Sequence, residues 1–553
     1  MKMVNLSQDT IHARKSEFFP FGKSRPFQDA AIKLVSDSWK DGFKYVFLEA
    51  PTGFGKSAIA IALARENPKS FILVSSKMLQ DQYVNEAAYK TLDVRGRHNF
   101  FCLKSMDRKC DVGPCQGWAD CSHQPQISAG KVPEKARVLA ETPKGPLWIM
   151  PGRKLCRYWD QKCKAINHAY PVFNYTYFLF EATYACHFGP RNLMICDEAH
   201  NMEDELMKFI QFSVSDRDLE YVGSKVPDAG LTIPQWIDTL AQWNEVLSAE
   251  LKNTKEKLKG MGESGKKMEL IKKVQELGEN VDKCTFVAGE LSADPQNWII
   301  ENVLTGKVRK VSFKPIFVRR WSRKFFSMAD RFLLQSATII DADAMAESLG
   351  LPREECVFIR APSGFKPDRR PIYYKPIGRM SKDYKEDNLP KLVETIKAIM
   401  EEYPDRKGVI HTHSYGIKDY IMASIESPRL IANTNTNSRH IMNQFMASKE
   451  PLILVTPSAY EGVDFKYDIC RWQVICKMPY PDMSQKQVRK RMELDPQWYQ
   501  WKTVLRLVQT YGRGMRAEDD WCHTYILDES FSQLVHRNRH MFPEWFLEAI
   551  VQG

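Results

Sequence analysis

An apolar run beginning at Tyr45 ends at Leu48-Glu49 and gives way to Ala50-Pro51-Thr52-Gly53-Phe54-Gly55-Lys56-Ser57, with the Ala-rich stretch 58–66 following at once. Buried strand, Gly-bearing turn and helix in that order commit this part of the chain to a parallel sheet with helices on its faces. The same order is a phosphate site. Glycines let backbone N–H groups curl round phosphate oxygens, the helix N-terminus adds positive potential, and Lys56 can reach the β and γ phosphates of a nucleotide. Ser57 is spaced to offer its hydroxyl to Mg²⁺. The loop departs from the strict pattern at Ala50, which stands where the first glycine is expected. Ala50, Thr52, Gly53, Gly55, Lys56 and Ser57 are therefore the expected ATP-binding set, and Gln28, in a turn-rich lead, is placed to meet an adenine edge.

The strand-then-polar pattern recurs. The run 71–74 leads to Ser75-Ser76-Lys77, the run 193–196 ends in Asp197-Glu198-Ala199-His200, and 332–334 runs into Gln335-Ser336-Ala337-Thr338. Ligands gather at the carboxyl ends of parallel strands. Asp197 is thus expected on Mg²⁺, Glu198 on an attacking water, and Ser75 to Lys77 on nucleic-acid phosphates. After a Pro-rich link at 361–367 a second α/β series begins, with runs ending at His411 and Thr456, then Glu461-Gly462-Val463-Asp464. A late helix carries Gln509, Gly512, Arg513 and Arg516. A phosphate loop, an Asp–Glu pair and an Arg-bearing helix in a second α/β unit make a two-domain ATPase whose nucleotide lies in the cleft.

With 553 residues the chain needs several cores, roughly three or four units at about 150 residues each. A formal charge of +11 favours a polyanionic partner. No apolar run approaches the roughly 20 residues that span a bilayer, and the first residues lack the apolar core of a secretory signal. An intracellular, cytoplasmic protein with no membrane partner is expected. Thirteen cysteines in such a compartment point to metal or cluster ligation more than to disulfides, and five of them, Cys102, Cys110, Cys115, Cys121 and Cys156, fall in one stretch. That stretch has little apolar periodicity, so thiol ligation would serve as its core; an iron–sulfur cluster and a Cys₄ zinc site use the same thiolates. Trp236, Leu240, Trp243, Leu247 and Leu251, then Leu270, Val274, Leu277 and Val281, repeat at helical spacing about a Gly-rich break, which reads as an antiparallel helical hairpin or a coiled-coil arm.

Gln28, Ala50 to Ser57, Asp197 to His200, Ser336 to Thr338, Glu461 to Asp464 and Gln509-x-x-Gly512-Arg513-x-x-Arg516 stand in the order of the superfamily 2 helicases, which the chain resembles over nearly its whole length. The cysteine-rich insertion, with Arg97-His98-Asn99-Phe100-Phe101-Cys102, Gly113-Pro114-Cys115 and Cys156-Arg157-Tyr158-Trp159, is similar to that of the iron–sulfur helicases of the XPD/DinG family. The resemblance implies two RecA-like α/β P-loop domains. The first is expected in three pieces (1–101, 164–202, 311–362), interrupted by a cluster insertion (102–163) and an arch-like helical insertion (203–310), and the second at 363–553. It implies ATP, Mg²⁺ and a [4Fe–4S] cluster as cofactors, and 5′-to-3′ movement on single-stranded DNA with tailed or forked duplex as substrate. A monomer is expected. Cys102, Cys115, Cys121 and Cys156 are the favoured cluster ligands and Cys110 the reserve. Lys56, Ser57, Asp197 and Glu198 would run hydrolysis, Arg513 and Arg516 would meet the γ-phosphate, His200 and Gln509 would link the domains, and Glu461, Gly462 and Asp464 would complete the nucleotide site. Trp118, Trp148, Tyr158 and Trp159 are candidate platforms for stacked bases. The alternative function is a DNA-stimulated translocase that remodels nucleic acid without separating strands.

Overall fold

The strand Tyr45–Glu49, buried at every position, lies inside an eight-stranded sheet. Its order is Lys2–Asn5, Cys356–Arg360, Tyr45–Glu49, Ala329–Ser336, Arg191–Asp197, Ser70–Val74, Pro171–Asn174 and Leu92–Val94, and every pairing is parallel. The structure is a computed structural model that describes all residues except 8–14, 107, 114, 116–120, 129, 228–229, 260, 262–264, 434–437, 458–464, 515–518 and 552–553. Both faces of the sheet are covered. Tyr45 and Phe47 enter one core while Val46 and Leu48 enter another, which is why the strands read as unbroken apolar runs.

A second sheet holds seven parallel strands in the order Leu430–Ala432, Ile453–Thr456, Gly408–His411, Trp472–Ile475, His523–Asp528, Ile372–Gly378 and Ile550–Val551. The helix Pro496–Tyr511 ties the two units together. Its Trp501 and Trp498 belong to the same buried cluster as Ile339 and Ile340 of the first unit, so an apolar core runs across the junction.

Each insertion contains more regular structure than its sequence suggests. The cysteine-rich segment holds a small antiparallel sheet of Gln126–Ile127, Leu147–Ile149 and Arg137–Ala140, and the helix Arg157–Asn167 starts directly after Cys156 and runs through the expected boundary at 163. The second insertion carries the helices Ile233–Lys259 and Gly265–Ala293 on an antiparallel sheet of Phe212–Ser215, Val308–Pro315 and Trp298–Thr305. Val308–Pro315 straddles the expected boundary at 310. The alternation that buries Val311 and Phe313 there, after a turn at Gly306 with φ 63°, is a strand signal hidden behind the helical stretch. The two insertions touch. Val112 packs on Leu258, Ile271 and Val274 of the hairpin, and Gln275 Nε2 donates to the Asp111 carbonyl. Among the described residues no helix is long and apolar enough to cross a membrane.

Candidate functional site

Register aligns the carboxyl ends of three neighbouring strands: Ser336 pairs with Glu49 and Gln335 with Asp197. The phosphate loop, the Asp–Glu pair and Ser336-Ala337-Thr338 therefore emerge together. Gln509 and Arg513 arrive from the second unit, and the groups enclose a cleft of about 500 Å³ lined by Thr52, Gly53, Gly55, Lys56, Ser57, Asp197, Glu198, His200, Thr338, Gln509 and Arg513.

Gly53 and Gly55 adopt φ of 82° and 87°, the left-handed turn that brings successive N–H groups round a phosphate. Ala50 lies outside that region of backbone space, which is why the loop closes without the expected first glycine. Its N–H donates to the Ser336 carbonyl at 2.9 Å and its carbonyl accepts Lys56 Nζ at 3.1 Å. The Gln28 carboxamide is engaged with protein rather than presented to a base. Nε2 donates to the Phe54 carbonyl at 2.7 Å and Oε1 accepts the Arg25 N–H at 2.8 Å, so Gln28 braces the loop. A side chain at Gly55 would strike that same amide.

Asp197 is buried, with Oδ2 accepting the Tyr83 hydroxyl at 2.8 Å and Oδ1 the Glu198 N–H at 3.0 Å. Burial, and next the Glu198 charge, raise its carboxyl above the ordinary value, with Lys56 opposing. Ser57 lines the same cleft as Asp197. Two hard oxygen donors beside a phosphate cradle suit Mg²⁺, which takes few protein ligands alongside phosphate oxygens. Glu198 holds φ of 50°, a left-handed backbone that costs a non-glycine residue about 1–3 kcal/mol. It lies at the turn that places both carboxylates on the cleft.

His200 Nδ1 lies 2.7 Å from Ser336 Oγ and 3.4 Å from Glu198 Oε2. Burial, followed by the charges of Lys502 and Arg513, lowers it to about 3, so the ring is neutral. Ser336 Oγ accepts the Thr338 N–H at 3.0 Å, and Gln509 Nε2 donates to Thr338 Oγ1 at 3.1 Å. A hydrogen-bonded chain thus runs from His200 to Gln509 across the domain junction. Sequence reasoning missed the second tie beside it: Glu203 accepts Trp498 Nε1 at 2.8 Å and pairs with Lys502 at 3.1 Å and Arg491 at 3.4 Å, while Trp501 Nε1 donates to the Ile339 carbonyl at 2.8 Å. The signal available was the acidic start of the helix Met202–Ile210 and the Trp-rich start of Pro496–Tyr511.

The five clustered cysteines come together. Cys102, Cys110 and Cys156 are buried in one small core, and Cys115 and Cys121 are half-buried. The neighbouring Cys156 thiol raises Cys110 and the Cys121 thiol raises Cys115, whereas Cys156 and Cys121 are lowered in turn. Cys110, the reserve in the ligand choice, sits as deep as the favoured four. Among the described residues no set of three or more His, Cys, Asp or Glu side chains is arranged to hold a metal ion. Thiols are the donors that an iron–sulfur cluster or zinc takes, but these five do not surround one point in this structure. Arg97 Nη1 donates to Cys115 Sγ at 3.0 Å and lies over the Tyr158 ring at 4.4 Å. Tyr158 and Trp159 are each 3% exposed and Trp148 8%, so these aromatics are core and not platforms for bases. Ser76 caps the helix Lys77–Asn85 by accepting the Leu79 N–H at 3.2 Å, and Lys77 Nζ reaches His98 Nε2 at 2.9 Å. Glu461, Gly462, Asp464, Arg516 and Trp118 lie outside the described residues.

Two parallel-sheet α/β units share one cleft; the first carries the phosphate loop and the helical and cysteine-bearing insertions. Residues 396–549 match the family model of the helicase C-terminal domain. The ATP-dependent DNA helicase YoaA of Escherichia coli K12 is 24% identical over 91% of this chain and 90% of its own length. A solved XPD helicase superposes with a TM-score of 0.61 at 15% identity, over 94% of this chain and 98% of that one. Xpd4 of S. tokodaii gives 0.56 at 15% identity, over 95% and 99%. The chain is thus similar to the XPD/DinG-like helicases of superfamily 2, in its C-terminal domain, over most of its length and in its fold.

Proposed function

We propose that this protein hydrolyses ATP in the cleft between its two α/β units to move 5′-to-3′ along single-stranded DNA and separate tailed or forked duplex. The observation that carries the reading is the cleft itself, where Lys56, Asp197 and Glu198 of one unit meet Gln509 and Arg513 of the other. Lys56 neutralises β and γ phosphate charge and Glu198 orients and deprotonates water. Arg513, with Arg516, stabilises the γ-phosphate, a contribution of roughly 10³–10⁵ in rate for such arginines generally. Ser57 and Asp197 would hold Mg²⁺, which when bound supplies further neutralisation of the phosphates. Closure onto nucleotide is transmitted through Gln509, Thr338, Ser336 and His200. Cys102, Cys115, Cys121 and Cys156 would hold a [4Fe–4S] cluster, supplying a rigid centre to a module whose own sheet is small. The single strand runs over the strand ends near Ser75 to Lys77, held by phosphate charge rather than base identity. Affinity should then fall with salt at a log–log slope of about −0.7 per phosphate neutralised.

Turnover that depends on single-stranded DNA, lost in Lys56→Ala and lost with nucleotide binding retained in Glu198→Gln, is the expected result. Strand displacement on 5′-tailed but not 3′-tailed duplex is expected alongside it. Wild-type turnover in Lys56→Ala would overturn the site. DNA-stimulated turnover without displacement on either tail would make the protein a translocase.

A further inference from the structure

Tyr83 sits on the helix Lys77–Asn85, is 1% exposed, and has no part in the sequence pattern that marks the nucleotide site. Its hydroxyl nevertheless donates to Asp197 Oδ2 at 2.8 Å. The phenol therefore touches the carboxylate that would hold Mg²⁺. The ring is wedged against Tyr89 at 5.9 Å between centroids, and the Tyr83 carbonyl accepts Thr91 Oγ1 at 2.8 Å, so the hydroxyl has little freedom to leave.

The other end of the same helix is the strand edge where Ser75 and Ser76 line the cleft and Lys77 reaches toward His98. The helix Lys77–Asn85 is 9 residues long, about 13 Å at 1.5 Å per residue. A rigid element of that length has one end at the edge proposed for the nucleic-acid strand and, less than two turns on, a side chain on the metal carboxylate. Sequence could not show this, because Tyr83 and Asp197 are 114 positions apart.

We propose that Tyr83 is a positioning residue that holds Asp197 in place for Mg²⁺ and relays occupancy of the helix start by single-stranded DNA to that metal site. The inference rests on the ATPase reading above. A ligating carboxylate that loses its outer hydrogen-bond partner typically loses 10–100-fold in metal affinity. In Tyr83→Phe the ring and its packing stay and only the hydroxyl goes.

The test titrates Mg²⁺ against binding of a fluorescent ATP analogue by the full-length protein, with and without single-stranded DNA, for wild type and Tyr83→Phe. Wild type should bind the analogue with a Mg²⁺ midpoint that DNA shifts to lower concentration. Tyr83→Phe should raise the midpoint about 10–100-fold, lose most of the DNA-induced shift, and bind the analogue in excess chelator as wild type does. A Tyr83→Phe midpoint equal to that of wild type, or an undiminished DNA shift, would overturn the proposal. A second variant, Thr91→Val, removes the bond to the Tyr83 carbonyl without touching the metal donors; a midpoint raised as far as in Tyr83→Phe would assign the effect to general loosening and also overturn it. Failure of the ATPase reading itself would look different, as wild-type protein whose nucleotide binding ignores Mg²⁺ altogether.

Discussion

Lys162→Met tests how the cysteine module is fastened to the first α/β unit. Lys162 and Glu181 are both 1% exposed and form a direct ion pair, joined by Tyr177 Oη, which donates to Glu181 at 3.0 Å, and by His187 at 3.2 Å. Lys162 lies on the helix that starts at Cys156, while Glu181 lies in the π-helical turn Glu181–Ala185 that extends the helix Tyr175–Phe180. Burial alone would raise the Glu181 carboxyl, yet the His187 hydrogen bond and the Lys162 charge hold it at about 2 against an ordinary 4.5. At about 1.36 kcal/mol per pH unit that depression is worth about 3 kcal/mol at neutral pH. Removing one partner of a buried pair costs about 3–5 kcal/mol in general, because the other charge is stranded. Lys162→Met should therefore lower stability by about 3–5 kcal/mol in urea unfolding followed by tryptophan fluorescence, and Lys162→Met with Glu181→Leu should recover most of it. Because the folded pKa is depressed, the stabilisation is complete above pH 4.5 and is lost as pH falls toward 2, so the gap between wild type and Lys162→Met should narrow over that window. A single variant less than about 1 kcal/mol down, or a double variant no better than the single, would refute the reasoning.

Burial holds His200 and His411 at about 3 and His413 at about 4, so the unfolded chain takes up protons below pH 6.5 that the native chain refuses. Each should then remove about 2 kcal/mol of stability between pH 6.5 and 5, and His411→Leu should flatten the calorimetric pH dependence by one such share. Gln509→Ala deletes the cross-domain bond to Thr338, about 1 kcal/mol, so turnover should fall about five-fold with analogue binding at the phosphate loop unchanged in a fluorescence titration. Anaerobically purified Cys102→Ser and Cys156→Ser should lose absorbance near ~400 nm and their iron, while Cys110→Ser keeps most of both. Equal loss in Cys110→Ser would put that thiol in the ligand set, and colourless wild type with stoichiometric zinc would replace the cluster.

The local order of residues was enough to read both α/β units, the phosphate loop and the Asp–Glu pair, because strand, turn and helix signals are short-range and the apolar runs that form the sheets are buried on both faces. It also marked five cysteines, but the choice of Cys102, Cys115, Cys121 and Cys156 over Cys110 came from the family resemblance, since ligation depends on where thiols meet and not on spacing. Tertiary structure alone decided that Gln28 braces the loop, that Trp148, Tyr158 and Trp159 are core, and that Ala50 serves without being glycine. Those outcomes turn on a backbone angle, a neighbouring carbonyl or a covering side chain, none of which is encoded nearby in the chain. The same holds for Tyr83 on Asp197 and Lys502 on Glu203: the fold brings distant segments together, so these contacts join residues 114 and 299 places apart.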